Sequence, residues 1–561
     1  MTLFSDAHKT RLDKARQVIK SRENWAAFAE VPSEKIYGEG SKARGEKAFH
    51  ALLDKPFAFA VAQDGAEYVA GERISPYGLA LNLSYPKLAA ATLLDRAEKA
   101  QKSWRKTDVE TRLAICSIML DRLAEQSFLM ANAVMHTTGQ PFVMSFQAGA
   151  PHALDRALEA LAYAADAMQA SASAATWQKV TGKNKEGQNV TVTLDKTFRT
   201  RGKGIGLVVG CATFPTWNSY PGLFANLATG NSVIVKPAES AILPLAISVD
   251  IMRQVLAENG FDPDTVQLAV TGGDRSQTQA LAKDARVKMI DYTGGPGFGR
   301  WLQENCPDTQ LYLEQAGINN ILIESTDNLR GMTANIAFSL SLFGGQMCTA
   351  PQNIYIPRTG IQTENGPLSF DDAAAAIAKG VEKLLGDSDR AFALLGALGS
   401  EAVAKRVATI AQSGANTVLA TEKANYAPYP DARTAKPLII KTDAKDELAC
   451  EEQFGPIAFV IACEDADDAL AKVCANIEQH GAMTTSLYSV NDAFREQAID
   501  AIADAGSPLS VNLTGGVYVN QSAAYTDFHG SGLNPAANTS LTDLGFVSQR
   551  FGWVTVREQK D

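Results

Sequence analysis

Between residues 204 and 325 the chain alternates short apolar runs with helical stretches, and nothing else in it narrows the fold so far. The runs are IGLVVG, NSVIVKP, TVQLAVTGG, KMIDYTGG and NILIES. Strands this apolar need cover on both faces, which intervening helices supply, so the alternation predicts a parallel α/β sheet with ligands beyond the carboxyl ends of its strands. The helix expected over 240–259 is the best marked, with Ile247, Ile251 and Val255 on one face and Gly260 as its stop.

A chain of 561 residues, 46% hydrophobic, can bury more than one core, which predicts two or more domains. The formal net charge of −10 leaves no global basic field to attract nucleic acid or an anionic membrane, so a small-molecule substrate is expected. Seven cysteines lie scattered with no C-x-x-C pair, and six histidines are equally dispersed. That pattern argues against a disulfide framework or a thiolate metal site and fits a reducing cytoplasm, with no metal expected. The N-terminus is charged every few residues and no apolar run reaches the ~18 residues of a membrane span, so a soluble, unprocessed chain is expected.

Residues 1–85 read as a polar segment with helices over 6–20 and 42–53 and no chemistry of their own. Residues 86–175 carry an alanine-rich helical period, and 189–210 switch to a β-branched alternation expected for extended strands. A second α/β region follows, with helices over 370–385 and 400–413 and strands over 457–463 and 509–512. The tail from 515 is rich in turns and ends in RFGWVTVR, an alternating strand expected to pair with 189–200 of another subunit.

Three residues have the chemistry of a covalent carbonyl site, each read as lying in a small-residue turn. Cys348 sits in FGGQMCTAP, where Gly344 and Gly345 leave room for a substrate carbon to approach the sulfur after a helix over 332–343. Glu314 ends the apolar run of LYLEQAG, and the following Gln315-Ala316-Gly317 keeps the backbone open for its carboxylate to swing. Asn218, in TFPTWNSYPG, offers the amide donor that an oxyanion requires. Their bland readings are a buried thiol, a solvated strand end and a turn cap. Lys236 and Glu239 in VIVKPAES read either as a solvated pair beside a helix start or as ribose ligands. YTGGPGFGR, with Gly294 and Gly295, opens a helix and suits a pyrophosphate, although Arg300 breaks the G-x-G-x-x-G spacing.

Taken together, these segments with E-Q-F-G-P at Glu452–Pro456 resemble the aldehyde dehydrogenase superfamily from about residue 86 onward. The resemblance implies a Rossmann-type cofactor domain (86–315, with oligomerisation strands near 189–203), an α/β catalytic thiol domain (316–515), and a tail with a β oligomerisation arm (516–561), after an N-terminal extension (1–85). It implies Cys348 as nucleophile, Glu314 as general base, and Asn218 with the Cys348 N–H as oxyanion donors. Lys236 and Glu239 would bind the adenine ribose, Gly294 and Gly295 approach the pyrophosphate, Glu452 bind the nicotinamide ribose and Phe454 pack at the nicotinamide of NAD or NADP. A homodimer or homotetramer is implied. Within the superfamily, TFPTWNSYPGLFANLATGN and FHGSGLNPAANTSLTD are most similar to the phenylacetic acid degradation (PaaN) group, which implies a CoA-linked aldehyde from aromatic catabolism. The chain departs from the superfamily pattern at Thr216, at Pro221, at Gly295 in place of serine, at Ala316 in place of glycine, and in lacking P-F-G-G.

Three rivals remain at this level. A CoA-acylating relative would release its acyl group to CoA, against which Glu314 argues. A cofactor-free thiol hydrolase needs a histidine near Cys348, and none lies between His152 and His480 in sequence. A catalytically silent binding protein of this fold is the third.

Overall fold

Four of the five apolar runs, joined by the strand Gln310–Glu314, form one five-stranded sheet in the spatial order Val266–Leu268, Ser232–Lys236, Ile205–Val209, Val287–Thr293 and Gln310–Glu314, with every neighbouring pair parallel. The structure is a computed structural model and describes residues 3–315, 317–413 and 416–560. Ala316, expected to open the backbone after Glu314, lies outside the described residues. Strand order reverses at Ile205–Val209, whose neighbours are the next strand on one side and a much later one on the other. Such a reversal opens a crevice at the carboxyl ends, where ligands bind. The fifth run, Asn319–Ile323, instead joins a second sheet.

That second sheet has seven strands in the order Asn416–Leu419, Leu438–Thr442, Ile457–Cys463, Pro351–Pro357, Asn319–Ile323, Thr485–Tyr488 and Leu509–Val511. All pairs are parallel except the first, an antiparallel edge. Both faces of its centre are buried, as continuous apolar strands require: Ile354 and Ile356 face one core, Tyr355 and Phe459 another. The chain is thus α/β, with a Rossmann-like parallel sheet and a second, mixed one.

Helices fall close to the periodic segments, at Asp6–Ser21, Ser41–His50, Phe370–Leu385 and Glu401–Ala411. The helix expected over 240–259 begins later, as Leu243–Glu258, because Pro244 sits in its first turn. Its first amides are satisfied from the N-terminal extension: the buried Glu72 carboxylate accepts from the N–H groups of Ile242 and Leu243. Gln63 of the same extension pairs with both main-chain groups of Leu268, so residues before 85 brace the parallel sheet.

The arm corrects an expectation. Phe551–Lys560 runs antiparallel to Asn189–Gly202 of its own chain, from Phe551 opposite Gly202 to Lys560 opposite Thr193, rather than to another subunit. The cause lies just before the strand, where the fully buried Arg550 meets Asp291 at 2.5 and 2.8 Å and gives its carbonyl to Asn231. Removing one partner of such a pair strands a buried charge at a cost of about 3–5 kcal/mol, so the last strand is held against its own body. A third strand, Ala174–Lys183, was not expected. It pairs with Asn189–Gly202 and is exposed along its whole length, so no burial pattern marks it in sequence. Among the described residues no helix is long and apolar enough to cross a membrane.

Candidate active site

Asn218 lies in the helix Pro215–Ala228, not in a turn as read from its prolines. Pro215 occupies the first helical turn, where no N–H is needed, and all fourteen residues are buried, so packing overrides the cost of Pro221 inside the helix. Glu314 ends the strand Gln310–Glu314, as expected, and is buried. The helix before the cysteine is Leu329–Ser341, followed by a short tight turn over Leu342–Gly345. There Phe343, Gly344 and Gly345 all take positive φ, at 51°, 56° and 66°. A Cβ on Gly345 would stand 2.4 Å from the Gly455 carbonyl, so only glycine lets this loop touch the loop of Glu452 and Phe454.

Cys348 follows, half-buried and clamped by Asn319. The Asn319 amide donates to the carbonyls of Cys348 and Ala350 at 2.7 and 2.8 Å, and its oxygen accepts from the N–H groups of Met483 and Thr484. Asn319 was not singled out from the sequence, because a buried Asn at the start of an apolar strand has no motif around it.

The structure brings Cys348, Glu314 and Asn218 together. Asn218 Nδ2 donates to Glu314 Oε2 at 2.9 Å, so in this state the amide holds the carboxylate rather than an oxyanion. His529 completes the cluster. Its Nε2 lies 3.2 Å from Glu314 Oε1 and 3.6 Å from Cys348 Sγ, with donor atoms of all three residues within 4.8 Å of one another. Its ring meets Trp217 edge-on with centroids 4.7 Å apart. The backbone of His529 exchanges two 2.9 Å hydrogen bonds with Leu541, which pins the ring from the tail. Sequence reading did not single out this residue; it found no histidine between His152 and His480 and left proximity in space open. Lying 181 residues downstream, it reaches the thiol only through the fold, and its one local signal is the Gly530 that follows in the left-handed region at φ 75°. A histidine beside the thiol, which a thiol hydrolase would need, is thus present in space.

Electrostatics set the resting protonation. Loss of solvent, and then the Glu314 carboxylate, push the Cys348 thiol well above its ordinary value. Burial also works to raise Glu314, but the charge and hydrogen bond of His529, with bonds from Cys348 and Asn218, outweigh it and hold the carboxyl below its usual range. The resting pair is a thiol beside a carboxylate.

Lys236 ends the strand Ser232–Lys236 at the sheet's reversal, and its Nζ meets Glu239 Oε1 at 3.1 Å. The Thr271 hydroxyl donates to the same oxygen. Gly295 caps the helix Pro296–Asn305 with no side chain over its first amides, and a Cβ at Gly295 or Gly297 would meet open space. Gly294 N–H donates to the Glu314 carbonyl at 3.0 Å, which ties this turn to the base. Uncapped amides, open glycines and a Lys–Glu pair at a strand-order reversal suit the diphosphate and ribose of a dinucleotide. Glu452 is pushed up to about 7 by burial, against the charge of Arg406, and Arg406 donates to the Phe454 carbonyl at 2.8 Å.

The aldehyde dehydrogenase family pattern matches residues 85–537, and the chain belongs to that family. It is accordingly an oxidoreductase acting on aldehydes. It is similar over its whole length to the solved structure of an NAD-dependent aldehyde dehydrogenase from Burkholderia multivorans, at 47% identity and TM-score 0.96, covering 100% of this chain and 99% of that one. A 1-pyrroline-5-carboxylate dehydrogenase from Thermus with bound NAD shares the fold at 19% identity and TM-score 0.73, over 96% of this chain and 99% of that one. Among curated relatives, N-succinylglutamate 5-semialdehyde dehydrogenase of Burkholderia multivorans (strain ATCC 17616 / 249) is 24% identical over 394 residues, 68% of this chain and 74% of that protein.

Proposed function

We propose that the protein oxidises an aldehyde to its carboxylic acid through a covalent adduct on Cys348, with NAD or NADP as cofactor. The convergence of Cys348, Glu314 and Asn218 at the carboxyl end of the parallel sheet carries this reading. Cys348 attacks the aldehyde carbon to give a thiohemiacetal. Once Glu314 turns aside, the Asn218 amide is free to join the Cys348 N–H in holding the oxyanion. The nicotinamide, when bound, supplies the hydride acceptor. Glu314 then removes a proton from the water that cleaves the thioester, a task its lowered pKa keeps it charged for.

Lys236 and Glu239 would hold the adenine ribose, Gly294 and Gly295 the pyrophosphate, and Glu452 and Phe454 the nicotinamide end. The Glu239 carboxylate repels a 2′-phosphate, which favours NAD. The resemblance of the tail segment FHGSGLNPAANTSLTD to the phenylacetic acid degradation group implies an aromatic-catabolic substrate, a CoA-linked semialdehyde. The named Burkholderia relative acts on a different semialdehyde, N-succinylglutamate 5-semialdehyde, and that class is the second reading. Exposed apolar side chains on the arm, Trp177, Val180, Trp553 and Val554, support assembly as a dimer or tetramer, and seven free cysteines suit a reducing cytoplasm. A panel of free and CoA-linked aldehydes with each nicotinamide, followed by absorbance at the reduced cofactor, tests the reading. Turnover of CoA-linked semialdehydes well above free ones is expected, and selective turnover of N-succinylglutamate 5-semialdehyde would favour the second substrate instead.

A further inference from the structure

Three atoms of the site form a set that the proposed reaction does not require. Cys348 Sγ, His529 Nε2 and a Glu314 carboxylate oxygen all lie within 4.8 Å of one another, a thiol, an imidazole and a carboxylate that meet only in the fold. Nε2 stands 3.6 Å from the sulfur and 3.2 Å from Glu314 Oε1. A zinc ion bonded at about 2.3 Å to sulfur and about 2.0–2.2 Å to nitrogen and oxygen, at tetrahedral angles, sets the first pair about 3.5 Å apart and the second about 3.4 Å apart. Both observed sides are close to that triangle, and a small rotation of the carboxylate closes the third.

We propose that Cys348, Glu314 and His529 form a reversible zinc site, and that a zinc ion bound there takes the nucleophile and the base out of use together. The site stands on its own geometry; its inhibitory effect rests on the proposed function, in which Cys348 and Glu314 do the chemistry. Metal replaces protons. The S–H bond of Cys348 and the Nε2–H bond of His529 break, both protons leave to solvent, and the freed sulfur and nitrogen lone pairs bond to the ion. Nothing is oxidised or reduced. The thiolate and the carboxylate bring two negative charges against the two positive charges of zinc, and the metal-bound imidazole is neutral, so the occupied site carries no net charge.

The neighbours of these three groups act as the outer partners of a metal centre do. Asn218 donates to Glu314 Oε2 at 2.9 Å, which orients the carboxylate and leaves Oε1 for the ion. The two hydrogen bonds between the His529 and Leu541 backbones, with the edge-on contact to Trp217, fix the imidazole before any metal arrives. A cavity of about 20 Å³ lined by Asn218, Glu314 and His529 has room for about one water, the ligand that completes a three-residue zinc site. Charge points the same way. Glu314, Cys211 and Glu452 all oppose ionisation of the buried Cys348 sulfur, and a cation between sulfur and carboxylate relieves that repulsion. The mixed sulfur, nitrogen and oxygen set selects zinc over magnesium or calcium, which take oxygen ligands.

Metal binding is read without aldehyde or nicotinamide. The metal-free parent, His529→Asn, His529→Gln and Cys348→Ser are titrated with zinc chloride against a chromophoric chelator, with thermal midpoints confirming that each is folded. The parent should bind one zinc per chain and each variant at least about tenfold more weakly, since even an outer partner of a zinc ligand is worth about 10–100-fold. Cobalt chloride should give the parent a thiolate-to-metal charge-transfer band that Cys348→Ser lacks. In the parent itself, zinc should shield Cys348 from alkylation by iodoacetamide, followed by mass spectrometry, and EDTA should restore the reaction. Parent affinity in either folded His529 variant, which would mean that zinc sits on the thiol alone, or alkylation of Cys348 untouched by saturating zinc, would overturn the proposal. So would aldehyde oxidation unchanged in the zinc-loaded parent. A chain that binds zinc in this way but oxidises no aldehyde when metal-free would overturn the proposed function and leave the metal site standing, so the two failures are distinct.

Discussion

At the scale of single residues, the site is a set of competing hydrogen bonds around one carboxylate. Glu314 accepts from Asn218 on one oxygen and faces His529 with the other, so the oxyanion donor and the base are coupled before substrate arrives. Asn218→Ala should lower kcat about a hundredfold or more while leaving the dissociation constant for NAD nearly unchanged, because one oxyanion donor is typically worth 2.7–4 kcal/mol. Stopped-flow kinetics with fluorescence titration of NAD would check it, and an unchanged rate in a reaction limited by chemistry would reject the role. Cys348 and Glu314 could be singled out from sequence by the small residues before or after them, and Asn218 by its amide, although the buried helix that carries it was read as a turn. His529 and Asn319 could not. Their importance is a matter of which distant backbone they face, and neither local period nor composition records that.

At the scale of elements, the helix Pro151–Gln169 ties the N-terminal extension to the tail that carries His529. Its buried Asp155 accepts from the Ala27 N–H and the Tyr525 hydroxyl, and its neighbours Arg156 and Glu159 bond to the tail at Asp527, Leu541 and Tyr525. Arg22, at the end of the helix Asp6–Ser21, stacks on Phe528 at 3.7 Å. The extension thus has a structural part in the site, which its polar sequence did not disclose. Burial pushes the Asp155 carboxyl from an ordinary 3.8 up to about 7, against those hydrogen bonds. The folded chain therefore keeps a proton that the unfolded chain has lost, so Asp155 makes stability fall as pH rises from about 4 to about 7 and stay level above. Glu452, also pushed up to about 7, adds a second slope over much the same window. Asp155→Asn should flatten the fall of Tm between pH 4 and 7 by roughly half; a slope equal to the parent's in calorimetric scans would contradict the assignment. The parallel sheet itself was legible, since strands buried on both faces read as continuous apolar runs. The strand Ala174–Lys183 was not, since both of its faces meet solvent.

At the scale of the whole molecule, the parts of one reaction come from a helix, two sheets and the tail, and the arm extends beyond them. Its three strands pair within the chain, so the surface left for assembly is the sheet's exposed faces and the outer edges of Ala174–Lys183 and Phe551–Lys560. Trp177→Lys with Trp553→Lys should shift a dimer or tetramer towards monomer in sedimentation velocity, and a parent chain that sediments as a monomer at micromolar concentration would contradict assembly through the arm. The central claim is that acyl transfer passes through Cys348 and ends on water activated by Glu314. Glu314→Gln keeps the shape of the side chain and removes the base, so a rapid-mixing experiment should show a burst of reduced nicotinamide near one per active site, followed by slow turnover, with the acyl adduct on Cys348 seen by mass spectrometry. A parent enzyme that turns over only with free CoA and releases a new thioester would contradict the account.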